Sequence, residues 1–342
     1  MSPLRSSSGP SATRRWPSGL CGGLLRAAAL SLLLVQLAAV PSFAAAQAGL
    51  PAADPLAEVE PVLTIFYNAS SFGEMHPCPT CGKTPDTYGG MARRAGLFRE
   101  YRRLGKPCLV IAGPYEFLAD DPTRFGHLAE EGRKNSFPSA EEASLALKVH
   151  ELLRVDTGWI SGKAARWLRG ETGRIPPGYL VSEGKSVSRL LNTRAGSVGV
   201  VFFPEGPVPG KGPGPGQESE VLAAGKALRE KAALLVGVSP WGAAAEKKFL
   251  PKAQGVFDCI LGGGEGIGFD FIFAEGSSSP IWIRPDVKGR AVNVLEIYLP
   301  PLAGSSFVWS EGKTYNAWLD FMGEGVPVHR AALELIGPRR EK

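Results

Sequence analysis

Two uninterrupted apolar runs, 62–67 (VLTIFY) and 108–112 (CLVIA), bracket a stretch that starts a helix at Gly89-Gly90 and ends it at Gly105-Lys106-Pro107. A run without polar alternation marks a strand covered on both faces. Strand, helix and strand in this order make a βαβ unit with a right-handed crossover. Met91, Ala95, Leu97, Phe98 and Tyr101 give the helix its apolar side. Loops at the carboxyl ends of such strands gather on one edge, which predicts that the long loop after Tyr67 and the turn after Ala112 lie together.

The α/β rhythm continues downstream. A helix is predicted over 139–154, where Ser139 and Glu142 make a capping-box pattern and Ala143, Leu145, Ala146, Val149, Leu152 and Leu153 recur at helical spacing. A second helix is expected over 162–168, then short strands at 179–181, 187–191 and 198–203. The run 204–216 (PEGPVPGKGPGPG) cannot hold regular structure and reads as an exposed loop insertion. Helix 218–231, strand 233–238, helix 243–249 and strand 257–261 follow. The end is β-rich, at 269–273, 281–283 and 291–299, and an amphipathic piece at 315–321 is expected to pack on the outside.

The first 48 residues read as an address. Arg5, Arg14 and Arg15 precede an apolar run of 14 residues, 27–40, and Ala44-Ala45-Ala46 or Ala46-Gln47-Ala48 supplies small residues for cleavage. That run falls short of the roughly 20 residues a bilayer span needs. A cleaved signal of the Sec or twin-arginine kind is expected, hence a periplasmic or secreted protein, with a linker at 49–60 and one domain over 61–342. The leader carries four arginines and no acid, so removing it takes the net charge from +5 to +5 − 4 = +1. No basic surface then remains for nucleic acid or an anionic membrane.

Four cysteines follow the leader, in a compartment where disulfides persist: Cys78, Cys81, Cys108 and Cys259. Cys78-Pro79-Thr80-Cys81 is the one positive chemical motif. Two thiols at this spacing support dithiol exchange, and the same spacing serves a structural disulfide that ties down a long loop. Metal binding would need His76 with both cysteines plus a fourth ligand at matching spacing, which the sequence lacks. His127, His150 and His329 are isolated, and His150 reads as a surface or packing residue. Cys108 and Cys259 lie in apolar strands as small core residues, and a bridge between them stays open. Arg93 and Arg94, just inside the first helix, are candidates for anion binding or a solvated flank. Met91, Trp159 and Trp241 read as packing. The glycine run 262–268 lacks the Lys-Ser/Thr ending of a phosphate loop. No cofactor is called for.

Five segments in order resemble the calcineurin-like metallophosphoesterase domain of bacterial periplasmic 5'-nucleotidases (UshA-like): LTIFYNASSFGE, GGMARRAGLF, PCLVIAGPYEF, the pair AALLVGVSPWG and FDCILGGGEG, and KGRAVNVLEIYLP. The resemblance implies an α/β fold, a metallophosphoesterase-like sandwich of two mixed β-sheets flanked by helices. It also implies metal ligands at positions where this chain carries other residues. The family's Asp-x-His stands as Asn68-Ala69-Ser70-Ser71-Phe72, its Gly-Asp as Gly113-Pro114, and its Gly-Asn-His-Glu as the run from Asp156 to Ser161. Its Ser-His-x-Gly stands as Ser239-Pro240-Trp241-Gly242, and its Gly-Gly-His-x-His ends on Gly264-Glu265-Gly266. The replaced ligand positions thus lie around Ala69, Ser71, Pro114, Pro240, Gly264 and Gly266. The chain is also similar to UshA-like selenoproteins, a subgroup in which the fold has lost its metal ligands and selenocysteine can occupy a cysteine position. That similarity implies a pseudoenzyme with a redox role for Cys78 and Cys81, and a periplasmic thiol/disulfide protein or small thiol as partner. The other implied activities are nucleotidase or phosphodiesterase hydrolysis at an atypical metal site, and non-catalytic binding.

Overall fold

The computed structural model describes residues 59–79, 88–123, 137–266, 268–272, 279–298 and 309–339. The expected leader, most of the linker, Cys81 and His127 lie outside the described residues. In chain order the elements are β1 (Leu63–Asn68), β2 (Pro77–Cys78), β3 (Tyr88–Gly89), α1 (Met91–Arg103), β4 (Cys108–Ala112), α2 (Ala140–Leu153), β5 (Thr157–Ser161), α3 (Gly162–Thr172), β6 (Tyr179–Ser182), β7 (Val187–Thr193) and β8 (Gly196–Phe202). Then come α4 (Gln217–Arg229), β9 (Leu234–Ser239), α5 (Ala243–Ala253), β10 (Cys259–Gly262), β11 (Phe269–Ile272), β12 (Ile281–Arg284), β13 (Ala291–Ile297), β14 (Tyr315–Phe321) and α6 (Arg330–Ile336).

Two six-stranded mixed sheets result, in the orders β14-β13-β1-β4-β5-β6 and β11-β12-β10-β9-β8-β7. In the first, β1 pairs parallel to β4 from Thr64↔Cys108 to Asn68↔Ala112, and antiparallel to β13 from Leu63↔Ile297 to Tyr67↔Asn293. The apolar runs are strands for the reason expected, since every residue of β1 and of β9 is buried. Ile65, Tyr67, Leu109 and Ile111 face Val200, Val236, Leu261 and Ile283 across the layer between the sheets. Phe66 and Val110 point the other way, into a core shared with residues of α1, α2, α3 and α6. On the outer face of the second sheet, Val201, Leu235 and Ile260 pack with Val221 of α4 and Phe249 of α5. Helices therefore cover both outer faces of the sandwich.

Three details depart from the sequence reading. Residues 315–321 are not an outer appendage but β14, the edge strand of the first sheet, with Tyr315 and Ala317 buried in the inter-sheet layer. Burial with period 2 on a single face explains why the segment reads as amphipathic. The 204–216 run has no regular structure, as expected, yet it is only partly exposed: Pro204, Gly210 and Gly212 are buried. Finally, α6 closes the chain by packing on α1 and α2, a helix that the sequence reading does not anticipate. No helix among the described residues is long and apolar enough to cross a membrane.

The capping box of α2 is complete: Ser139 Oγ accepts from the Glu142 backbone N–H, and the Glu142 carboxylate accepts from the Ser139 backbone N–H. Ser139→Ala is expected to lower the unfolding free energy by about 1 kcal/mol. Urea titration checks this, as a shifted midpoint with an unchanged slope.

Candidate functional site

The loops after β1 and β4 meet those after β9 and β10 on one edge, as the βαβ reading predicts, and the six positions read above as replaced ligands lie in these four loops. Ala69 and Ser71 are fully buried, and Ser71 Oγ donates to the Glu116 carbonyl at 3.0 Å. A Cβ on Gly113 would lie 2.6 Å from the Cβ of Ala69. Gly264 has φ +75°, and a Cβ there would sit 2.8 Å from both Gly210 Cα and Pro240 O. A side chain as large as imidazole at 264 would therefore have to displace backbone from two other loops.

Aromatic side chains fill this edge, and each spends its polar atom on a backbone carbonyl. The hydroxyl of Tyr67 donates to Gly262 O at 2.7 Å and that of Tyr115 to Pro240 O at 3.2 Å. The indole N–H of Trp159 reaches Phe203 O at 3.1 Å and that of Trp241 reaches Pro204 O at 2.8 Å. Burial, reinforced by the Glu246 carboxylate, holds the Tyr67 phenol well above its ordinary pKa. Met91, Trp159 and Trp241 are all buried, in line with the packing role read for them.

Two buried ion pairs complete the edge, and neither is legible in the sequence. Arg94 and Glu116 meet at 2.9 Å with both side chains fully shielded, and Asn68 Nδ2 donates to the same carboxylate at 2.6 Å. The anion beside Arg94 is thus a residue of its own chain. Arg93 instead donates to Gly89 O and Met322 O. Arg284 pairs with Glu246, which also accepts from Trp282 Nε1 at 2.9 Å and from the Gly263 backbone N–H at 3.1 Å. The same guanidinium donates to the carbonyls of Gly263, Gly264 and Glu265 at 3.2, 3.1 and 2.9 Å, clamping the glycine turn after β10.

The backbone here is strained. Ser70, Phe72, Tyr115 and Lys288 have φ of 56°, 51°, 64° and 58°, and among the described residues only Arg154 joins them as a left-handed non-glycine. The four are linked. Ser70 N donates to Pro114 O, Phe72 N to Tyr115 O and Lys288 N to Ser70 O, at 2.8, 2.9 and 3.0 Å. Backbone strain of this kind is held only where surrounding structure over-determines it.

A dinuclear centre needs several His or carboxylate ligands around two cations. The residues present do not fit one. Among the described residues no three His, Cys, Asp or Glu side chains gather as ligands would, and Glu116 and Glu246 each face a buried arginine.

The thiols separate into two kinds. Cys78 is disulfide-bonded and only 9% exposed, on the short hairpin strand β2, whose backbone pairs with Tyr88. Cys108 and Cys259 are free, so the bridge left open between them is not formed. Burial raises the pKa of both thiols, which makes them poor nucleophiles. His76 Nε2 contacts Gly337 O at 3.2 Å. His150 is buried, its Nδ1 hydrogen-bonded to the Tyr179 hydroxyl at 2.7 Å and its ring stacked on Phe117, and burial lowers its pKa to about 3. Beside the loop that leads to Cys78 lies a cleft of about 1310 Å³, walled by Phe72, Met75, Phe117, Leu145, Lys148 and Arg339 among others.

No protein-family model matches the sequence, and no curated protein is similar enough to register. Solved structures do match. A 5'-nucleotidase precursor from Thermus thermophilus superposes with a TM-score of 0.54 at 14% identity, over 80% of this chain and 57% of that one. The sulfate thiohydrolase SoxB of the same organism gives 0.55 at 13% identity, over 81% and 60%. A 5'-nucleotidase from Candida albicans gives 0.52 at 9% identity, over 81% and 57%. The chain has the metallophosphoesterase-like fold. It spans less than two thirds of the length of these proteins, and at such identities the likeness concerns the fold alone.

The Arg284–Glu246 pair generates a direct test. Arg284→Met leaves a buried carboxylate without its cation and is expected to cost about 3–5 kcal/mol of stability. The double variant with Glu246→Leu should cost measurably less than the sum of the two single changes, read by urea unfolding in a double-mutant cycle.

Proposed function

We propose that this chain is an exported metallophosphoesterase-fold protein that has given up the dinuclear centre, a pseudoenzyme with respect to hydrolysis, and that its chemistry resides in Cys78 and Cys81. The observation that carries the reading is the state of the strand edge. Arginine–carboxylate pairs and aromatic rings occupy the place where ligands would converge, while Cys78, on the loop leaving that edge, is oxidised. The similarity to the selenoprotein subgroup points the same way, because selenium has little value in a purely structural bridge. The apolar leader with its small-residue cleavage sites supports export to an oxidising compartment.

In the reduced form, one thiolate of the pair attacks a disulfide of a periplasmic protein or small thiol. A mixed disulfide forms and the partner's other sulfur leaves as thiolate. The second cysteine then attacks the mixed disulfide, closing the intrachain bridge and releasing the partner with two more electrons. The burial of Cys78 suits it to the resolving step rather than to the first attack.

The same burial favours a second reading, a binding module whose disulfide only braces the loop beside the 1310 Å³ cleft. Metal analysis, phosphoester hydrolysis and thiol titration on the mature protein separate these readings. The expected result is no stoichiometric transition metal, no hydrolysis of a generic phosphoester, and a reduction potential above about −300 mV. A lower potential supports the bracing role, and metal-dependent hydrolysis sinks both.

A further inference from the structure

The 1310 Å³ cleft beside the Cys78 loop is walled by four separate elements. The loop after β1 brings Phe72, α2 brings Leu145 and Lys148, the turn between β12 and β13 brings Lys288, and α6 brings Leu335 and Ile336. These walls are held in place by contacts of their own. Phe72 stacks on Tyr115 at 6.2 Å between ring centres, and Phe117, also in the wall, stacks on His150 at 4.4 Å. The end of α6 is tied to the Cys78 loop, where His76 Nε2 contacts Gly337 O at 3.2 Å and Arg339 pairs with Glu74 at 3.5 Å. The turn that carries Lys288 is pinned by its backbone N–H on Ser70 O at 3.0 Å. Phe72 and Lys288 both line the cleft with a left-handed φ, and strain of this kind collects at ligand clamps.

The charges of the cleft are unevenly matched. Among the acids in its walls, Glu74 pairs with Arg339, Glu116 pairs with Arg94, Asp121 accepts from Thr123, and Glu142 closes the α2 capping box. Glu141 lies in the first turn of α2, where the helix dipole favours a negative charge. Lys148 and Lys288 are different. Both are exposed, and neither ammonium has an ion-pair partner among the described residues. Two unmatched cations from elements 140 positions apart in the chain therefore border one cleft whose remaining walls include the half-buried apolar side chains of Leu145, Leu335 and Ile336.

We propose that this cleft binds an amphipathic anion, with its apolar body against Phe72, Leu145, Leu335 and Ile336 and its carboxylate or phosphate at Lys148 and Lys288. The apolar walls supply the driving force, because each surface removed from water on binding is favourable in proportion to its area. The ammonium groups set the sign of the head group. The volume exceeds the roughly 300–1,000 Å³ of common small-molecule sites, which leaves room for a long apolar chain. The proposal goes beyond the thiol reading and stands whether Cys78 acts in exchange or in bracing, since its test reads binding and not potential, metal content or hydrolysis.

Calorimetric titration of the mature protein with laurate, dodecyl phosphate and dodecanol, below their aggregation limits, tests it. Saturable one-to-one binding of an anion is expected, several-fold tighter than that of the alcohol, and weakening as salt screens the head group. Tighter binding of laurate identifies a free carboxylate as the preferred head, and tighter binding of dodecyl phosphate identifies a phosphate ester. Lys148→Gln and Lys288→Gln are each expected to weaken the preferred anion by about 1.5- to 5-fold, the range of a partly exposed charge contact. The double variant should bind anion and alcohol about equally and lose most of the salt dependence. Both lysines are exposed, so an unchanged urea midpoint in each variant is expected and separates lost binding from lost folding. Absence of saturable anion binding, dodecanol binding as tightly as the anions to the wild-type chain, or full anion affinity in the double variant overturns the proposal.

Discussion

A carboxylate removed from water must find a compensating charge or give up its own, and that constraint organises the strand edge of this sandwich. Glu116 and Glu246 each meet a buried arginine, and the arginines do more than neutralise. Arg284 gathers three successive carbonyls of the turn after β10. Arg94, on α1, ties the βαβ helix to the turn after β4. The edge is therefore held by directional, charge-assisted contacts between elements far apart in sequence.

Most of the fold could be read from the chain because the apolar patterns are long and unmixed. β1, β4, β9 and β10 are buried on both faces and say so in their composition, and the Ser139–Glu142 box marks the start of α2 to the residue. β14 was harder, since an edge strand with one face in the core carries alternation too weak to separate from a surface segment. The 204–216 run misled for a different reason. Proline and glycine forbid regular structure, but they do not forbid close packing, and glycines let this backbone approach Gly264 and Gly242.

Less of the site was legible. Ala69, Ser71, Pro114, Pro240, Gly264 and Gly266 are singled out in the sequence only by resemblance, and the buried ion pairs on the same edge are not visible at all. Glu246 sits in a helix that reads as ordinarily amphipathic, and nothing in AAAEKKFL marks its buried charge. Arg284 left a faint signal, a charge at the end of the apolar run IWIR. A pairing such as that of Glu246 with Arg284, 38 positions apart, has no local signature.

The position of β1 has a further consequence. It lies inside the first sheet, hydrogen-bonded on one side to β4, about 45 residues on, and on the other to β13, whose partner for Leu63 is Ile297. A chain emerging amino end first can assemble β1, β4, β5 and β6 early, but that half-sheet keeps an open, apolar edge until β13 arrives to cover it. Completion of the sandwich is thus postponed to the last quarter of the sequence, and the protein is built to remain unfinished through most of its own synthesis.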